Sequence, residues 1–245
     1  MVFRGIVTRH GPIATLAIAV LVVAGCGQAP AERIGSIYDW KADPSDTNRA
    51  KIRELIADPD RDVRATALHA LVTLDAPDSA ELALAGLDDA DGFVRSTAAK
   101  LLGDLGDPAA AEALVPLLLE DPDPVVRQRA AESLALVGGS TAIEGLARAL
   151  EDPMKQVRLA SVRGVRRLDP GYATPALARL VLDDTEWEVR VQAATALGRS
   201  GHPEVVPVLE AALQDDNEFV RSAATKGLET LATAGVGDAA EDARH

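Results

Sequence analysis

Twelve charged residues recur along the chain in a fixed pattern, and the chemistry that they offer is ion pairing. A Val-Arg pair returns six times at intervals of 31 or 32 residues, and an aspartate lies six positions before each arginine. The arginines are Arg64, Arg95, Arg127, Arg158, Arg190 and Arg221, and the aspartates are Asp58, Asp89, Asp121, Asp152, Asp184 and Asp215. Because a planar guanidinium binds a carboxylate through two hydrogen bonds and still reaches backbone carbonyls, we predict an Asp–Arg ladder that ties turns within or between repeats. The alternative is a row of substrate-binding arginines, which would not come with a matched row of aspartates.

The residues that usually carry catalysis or bind metals are scattered. The four histidines, at positions 10, 69, 202 and 245, form no pair at metal-ligand spacing. The sequence contains no nucleophile elbow, phosphate-binding loop or zinc-protease motif. Carboxylates are abundant, but nothing singles out a catalytic pair. We therefore predict a protein that is not an enzyme and that holds no metal or cofactor.

The single cysteine, Cys26, follows a positively charged and then an apolar segment. Basic residues within 4–10 precede an apolar run over residues 13–24, which is too short to cross a hydrocarbon core of about 30 Å as a helix. This layout is typical of a secretory signal. The Val-Ala-Gly-Cys stretch at 23–26 resembles the lipobox of bacterial lipoproteins. The resemblance implies a diacylglyceryl thioether on Cys26 and removal of residues 1–25. The alternatives are an ordinary cleaved signal with a chance cysteine, or an uncleaved anchor.

The segment after the cysteine bears on which membrane the protein is anchored in and on how far the repeats extend from it. Cys26 is followed by Gly27 and not by Asp, which resembles enterobacterial lipoproteins that are sent to the outer membrane. We therefore expect the periplasmic face of the outer membrane, ahead of the inner membrane or the cell surface. Residues 26–45 contain two prolines and lack helical periodicity, so we predict a lipidated flexible linker that spans roughly 25 Å.

Three bulky residues in that segment stand out because the chain has only 3% aromatic residues. They are Ile37, Tyr38 and Trp40. Terminal repeats of stacked proteins need a cover over their apolar ends, and these side chains are predicted to provide one. A contact with a partner protein is the alternative.

Net charge and amino-acid composition argue against several functions and folds. The net charge is −13 at pH 7, which opposes binding to phosphate backbones and to anionic membrane surfaces. Hydrophobic residues make up 47% of the chain, and they are mainly alanine and leucine. This composition favours closely packed helices over a β-sandwich.

Each unit of 31 or 32 residues is predicted to fold as two helices. An aliphatic residue lies eight positions before the recurrent arginine, and a small residue and an aliphatic one lie three and seven positions after it. The valine, the small residue and the aliphatic residue share one helix face at spacings of four. These columns resemble HEAT repeats, particularly the short bacterial kind also found in phycobilin lyases. The resemblance covers residues 46–231. It implies an all-α solenoid of about six helical hairpins in a right-handed superhelical stack, with second helices lining a concave face. Residues 232–245 are rich in alanine, glycine and acids, so we predict a flexible tail there.

Two departures from the repeat are candidate partner-binding features. The fourth repeat carries a basic patch of Lys155, Arg163, Arg166 and Arg167, which could receive an acidic peptide, a lipid headgroup or a glycan phosphate. A solvated face balanced by nearby acids is the alternative. Trp187 lies in a turn, either as a contact hot spot or packed against a neighbouring turn.

Together these patterns favour a membrane-anchored solenoid lipoprotein that binds an unidentified protein partner through its concave face. Its role would be that of a scaffold or assembly factor in the bacterial cell envelope, with no small-molecule substrate. A chromophore lyase-like or other enzyme-complex subunit is the second class, which export and the missing catalytic motifs oppose. A nucleic-acid-binding HEAT protein is the third class, which the acidic charge opposes.

Overall fold

The computed structural model describes residues 27–74 and 78–235. Within these ranges every regular element is helical. The α-helices are α1 (Pro30–Ala42), α2 (Asp46–Glu54), α3 (Arg61–Thr73), α4 (Ser79–Gly86), α5 (Gly92–Leu105), α6 (Ala111–Glu120), α7 (Pro124–Val137), α8 (Gly139–Arg148), α9 (Lys155–Leu168), α10 (Thr174–Asp183), α11 (Trp187–Leu197), α12 (Val206–Ala212) and α13 (Glu218–Thr233). Cys26 and the predicted signal lie outside the described residues. The predicted tail also lies outside the described residues from position 236 onward. Its first two residues are helical, because α13 continues to Thr233, two residues past the predicted boundary.

The predicted flexible linker is wrong over most of its length, because α1 occupies Pro30–Ala42. The proline stands at the first helical position, where its missing N–H costs nothing. The apolar residues Ile34, Ile37 and Trp40 recur every three positions, which places them on one face of the helix. The prolines of this segment therefore lie at helix boundaries and do not interrupt a helix.

The predicted cover over the first repeat is provided by α1, and it is confirmed for Ile37 and Trp40 but not for Tyr38. Ile37 is fully buried in a cluster with Ile52 and Leu71, and Trp40 packs at the edge of that cluster. Tyr38 lies on the other face of α1 and is 61% exposed. Burying one isoleucine side chain contributes about 1.5–3 kcal/mol, so α1 is part of the folded domain.

Helices α2 to α13 form six hairpins in chain order, which confirms the predicted all-α solenoid. Each second helix begins three residues before its recurrent arginine. The side chains of Asp60, Asp91, Asp123 and Asn217 accept hydrogen bonds from the first backbone N–H groups of α3, α5, α7 and α13. These caps satisfy donors that have no partner inside the helix.

The recurrent valine and small residue of every second helix point into the core. All six valines are at most 3% exposed, and all six small residues are fully buried. The valines are Val63, Val94, Val126, Val157, Val189 and Val220, and the small residues are Ala67, Ala98, Ala130, Ser161, Ala193 and Ala224. The core therefore runs along the stack as a small cluster under α1 and the first repeat and a larger one through the following repeats.

Small residues let neighbouring second helices approach closely. A Cβ built on Gly103 would lie 2.8 Å from the Cβ of Ser133, and one on Gly198 would collide with the Cα of Gly227. Neighbouring first helices contact one another less extensively than neighbouring second helices do, and a groove opens between α8 and α10. A stack that is tight on one side and open on the other curves toward the tight side, so the second helices line the concave face.

Candidate functional site

The recurrent arginines bind aspartates of the following repeat. In each of five rungs, Nε and Nη2 donate to the two carboxylate oxygens at 2.7–3.1 Å. The rungs are Arg64–Asp89, Arg95–Asp121, Arg127–Asp152, Arg158–Asp184 and Arg190–Asp215. The two side chains of each rung are at most 16% exposed. These are the short, two-bond ion pairs that guanidinium and carboxylate geometry permits.

Each recurrent arginine also fastens its own turn. Its Nη1 donates to the carbonyl of the aspartate six positions earlier, at 2.7–2.9 Å in all six repeats. That aspartate accepts, through its carboxylate, the backbone N–H two residues later at 2.8–2.9 Å. Each of the five arginines from Arg64 to Arg190 therefore ties its own repeat to the next one. This explains a cation near a helix start, where the helix dipole disfavours it.

The two ends of this ladder differ. At the first repeat, Asp58 is bound by Arg33 of α1, with Nε–Oδ2 and Nη2–Oδ1 distances of 2.8 and 3.0 Å. Arg33 was not predicted, although it lies 25 residues before Asp58, the interval that also separates Arg64 from Asp89. At the last repeat, Arg221 donates to two backbone carbonyls and reaches no carboxylate of the described residues. The ladder is closed at its first end and open at its last.

The ion pairs stabilise the charged forms of both partners. The hydrogen bond with Asp89 raises the pKa of Arg64, and the same bond lowers the pKa of Asp89. The pair of Arg190 and Asp215 shows the same two directions. In each rung the arginine donates to a carboxylate and to a backbone carbonyl, and the aspartate accepts from the arginine and from a backbone N–H. The arrangement therefore suits a structural role and leaves these arginines little capacity to hold a substrate.

The structure divides the predicted basic patch. Lys155 pairs with Glu186 at 3.0 Å and with Glu188 at 3.2 Å, so its charge is neutralised inside the fold. Arg163 and Arg167 are exposed and make no ion pair or hydrogen bond among the described residues. They lie at spacing four on α9, on one face of that helix.

Two further arginines complete this part of the surface. The Nη1 of Arg166 donates to Oε1 of Gln192 on α11 at 3.0 Å. Arg199, in the turn after α11, is exposed and has no ion-pair partner in the described part of the chain. The sequence analysis missed Arg199, although it lies nine positions after its repeat's recurrent arginine, as Arg167 does in the preceding repeat. We call Arg163, Arg166, Arg167 and Arg199 the concave arginine cluster.

Trp187 is both packed and exposed. Its ring stacks on Phe219 of the next repeat, with centroids 5.3 Å apart and planes 29° apart. The two residues are nevertheless 40% and 55% exposed. Arg61 lies over the ring of Phe93 at 5.7 Å in the same relation between neighbouring repeats. Exposed apolar side chains thus mark the N-terminal ends of several second helices, and we call Phe93, Val125, Trp187 and Phe219 the apolar edge row.

In residues 27–74 and 78–235, no group of three or more histidine, cysteine, aspartate or glutamate side chains is arranged to hold a metal ion. None of the helices in the same ranges is both long enough and apolar enough to cross a bilayer. The concave arginine cluster and the apolar edge row lie on or next to second helices, so the second-helix surface is the candidate site.

Sequence families agree with this architecture. The family model for HEAT repeats matches residues 49–135 and 143–229, and the model for the PBS lyase HEAT-like repeat matches residues 126–152. Comparison with curated protein sequences gave no match.

Solved structures with similar folds include natural and designed repeat proteins. YibA from Escherichia coli has a TM-score of 0.57 at 23% identity, over 80% of this chain and 74% of that one. A designed armadillo repeat protein in complex with the peptide (KR)4 has a TM-score of 0.57 at 19% identity, over 74% of this chain and 98% of that one. The complex of CpcE and CpcF of phycocyanin lyase from Nostoc sp. PCC7120 has a TM-score of 0.49 at 25% identity, over 60% of this chain and 98% of that one. The paired-helix stack and a family model that covers most of its length establish that the chain belongs to the HEAT-repeat proteins.

Proposed function

We propose that the chain is a lipid-anchored scaffold or assembly factor of a bacterial cell envelope, and that it binds a protein partner through its second-helix surface. The observation that carries this proposal is the apolar edge row. The chain has only seven aromatic residues, and three of them lie exposed in this row. Large exposed aromatic side chains are the usual anchors of protein interfaces. The designed armadillo repeat protein of similar fold holds a peptide, which supports a binding role for this architecture.

The proposed anchor is the acylated Cys26. Only Gly27, Gln28 and Ala29 separate this cysteine from α1, and three residues reach at most about 10 Å. The repeat domain would then sit close to the lipid surface, with much less freedom than a long flexible linker would allow. The proposed location is the periplasmic face of the outer membrane.

The anchor is tested by Cys26→Ser. The variant should lose metabolic labelling with palmitate and leave the membrane fraction. The neighbouring substitution Gly27→Ser changes the same segment without removing the thiol, so it serves as the control and should keep the label. Unchanged labelling of Cys26→Ser would contradict the proposed lipidation.

The binding surface is tested by photo-crosslinking in intact cells. A photoreactive residue replaces Val125 on α7, which is 59% exposed on the second-helix side. The matched control replaces Leu182 on α10, which is 51% exposed on the first-helix side. We expect a discrete crosslinked protein from position 125 and none from position 182. Crosslinks confined to position 182 would overturn the proposal.

A second candidate is a subunit of a chromophore lyase-like enzyme complex. The match of residues 126–152 to the PBS lyase HEAT-like repeat favours it. This candidate requires a soluble product that retains residues 1–25, whereas the scaffold proposal requires a processed and acylated one. Mass measurement of the purified full chain separates the two.

A further inference from the structure

Three contacts between second helices define one column of the repeat. Gly103 of α5 meets Ser133 of α7, Ala135 of α7 lies 3.3 Å from a Cβ built on Gly164 of α9, and a Cβ on Gly198 would collide with Gly227 of α13. The first residue of each contact lies eight positions after a recurrent arginine, and the second lies six positions after the next one. We call the first position the seam position. Small residues there allow helix backbones to touch.

The seam position of α9 holds Arg166. It faces α11, where the corresponding partner is Ala196, and its guanidinium reaches across to Gln192 at 3.0 Å. The contact between α9 and α11 is less extensive than the contacts between α5 and α7 and between α7 and α9. A long cation thus occupies a place where α5, α7 and the C-terminal cap of α11 have the small residues Gly103, Ala135 and Gly198, and where α3 has Val72.

Arg166 lacks the counter-ion that the other partly buried arginines have. Its one hydrogen bond goes to a neutral amide. Burial, together with the nearby charges of Arg199 and Arg163, lowers the pKa of Arg166, and no carboxylate acts in the other direction. In a chain with 38 acidic residues, a cluster of four arginines without a neutralising acid is a departure. Partly desolvated guanidinium groups bind carboxylates strongly, because water competes less for them.

We propose that the concave arginine cluster binds an acidic segment of a polypeptide, whose carboxylates complete the ion pairs that Arg163, Arg166, Arg167 and Arg199 lack. The inference rests on the proposed binding of a protein partner and names the chemistry of that partner. The cluster spans the fourth and fifth repeats, whose helices pack about 8–10 Å apart. Carboxylates on alternate residues of an extended chain lie about 7 Å apart, so one short segment reaches several of these arginines.

The position of the cluster selects a polypeptide over a membrane or a nucleic acid. The arginines lie on the concave side of the stack, which a flat bilayer does not enter. The net charge of −13 repels long phosphate backbones. A short acidic segment meets neither obstacle, since it contacts the arginines locally and follows the curvature of the surface.

The test uses the purified full chain in detergent and a fluorescein-labelled octaglutamate peptide, with octaglutamine as the neutral probe. Anisotropy should show binding of octaglutamate that weakens as salt is raised, and no comparable binding of octaglutamine. The double variant Arg163→Gln with Arg199→Gln should weaken binding by about tenfold or more. The control double variant, Arg148→Gln with Arg179→Gln, removes the same charge from exposed arginines of α8 and α10 and should leave the affinity unchanged.

Several outcomes would overturn the inference. One is an equal loss of octaglutamate binding in the control variant, and another is equal binding of octaglutamine by the wild type. A third is tighter binding to phosphatidylglycerol in the same detergent micelles than to octaglutamate, with the same dependence on the cluster. Crosslinking from position 125 separates this failure from that of the proposed function. If the cluster variant still captures the same partner, the scaffold proposal stands and the acidic-segment inference fails. If octaglutamate binds through the cluster but position 125 captures nothing, the inference stands and the scaffold proposal fails.

Discussion

Arginine is used in two opposite ways in this solenoid. In the ladder, each arginine from Arg64 to Arg190 has a carboxylate on one edge and a carbonyl on the other. In the concave arginine cluster, Arg163, Arg167 and Arg199 have neither among the described residues. The repeat thus neutralises its structural cations within the fold. The unpaired cations that lie together on α9 and just after α11 indicate where a partner is expected.

The difference follows from the repeat itself. A position that recurs in every unit has a matching position in the next unit, so a charge there finds a counter-charge at the same relative place. A position that is basic in only one or two units has no such match. The charged residues that all repeats share therefore stabilise the fold. The arginines found only in the fourth and fifth repeats are the ones we expect to bind a partner.

The sharpest way to break the comparison is to remove one arginine of each kind. Arg127→Ala leaves Asp152 almost buried without its partner, and should lower the free energy of unfolding by about 3–5 kcal/mol. Arg163→Ala removes an exposed and unpaired charge, and should change it by less than about 0.5 kcal/mol. Chemical denaturation followed by circular dichroism measures both values. Equal effects would mean that the ladder contributes no special stability.

The two ends of the ladder give the next largest contrast. Arg33→Ala strands the carboxylate of Asp58, which is only 9% exposed, and should cost about 1–3 kcal/mol. Arg221→Ala loses bonds to carbonyls but strands no acid, so its cost should be about 1 kcal/mol or less. The denaturant midpoints of the two variants measure this difference. A larger fall of the midpoint in Arg221→Ala than in Arg33→Ala would contradict the assignment of α1 as the element that closes the ladder.

The pH dependence of stability sharpens the role of the aspartates. The hydrogen bond from Arg64 holds the pKa of Asp89 below its ordinary value of 3.8. A carboxyl whose pKa is lower in the folded state stabilises the fold fully above its ordinary value, and this stability is lost as the pH falls through the folded value. The melting temperature should therefore drop below about pH 4. In Arg64→Gln that acid-induced drop should be smaller, and an unchanged drop would exclude this ion pair as its source.

The smallest expected effect lies in the apolar edge row. Trp187→Ala removes the stack on Phe219, which should contribute about 0.5–1.5 kcal/mol. When Trp187→Ala is combined with the photoreactive residue at position 125, the yield of crosslinked partner should fall severalfold although stability changes little. The reason is that exposed tryptophan side chains act as interface anchors. A variant that melts at a much lower temperature but keeps the partner would make Trp187 a packing residue only.

Much of the fold was predictable because its information repeats. Six units that agree at several columns predicted the hairpins and the pairing of arginines with aspartates. The cover over the first repeat was predicted separately, from bulky residues in a chain with few aromatic ones. The rungs themselves join residues 25 or 26 positions apart, as in Arg64–Asp89. A six-residue interval does not reveal which neighbouring turn an arginine reaches, so the direction of the rungs needed the structure.

The features that were missed occur once. Helix α1 has no counterpart in the repeats, and the proline at its start masked the helical spacing of Ile34, Ile37 and Trp40. Lys155 looked like a member of the basic patch, but its two glutamates come from the next repeat. Arg199 completes the cluster only because α9 and α11 are neighbours. Single features of this kind depend on contacts between units, which no periodicity encodes.

The division between structural and unpaired arginines is tested most directly by the unfolding of one triple variant, Arg163→Gln with Arg166→Gln and Arg199→Gln. These charges repel one another and have no acid to lose, so the denaturant midpoint should stay equal to that of the wild type or rise. A fall as large as that of Arg127→Ala would show that the cluster holds the solenoid together, and would contradict its assignment as a binding surface.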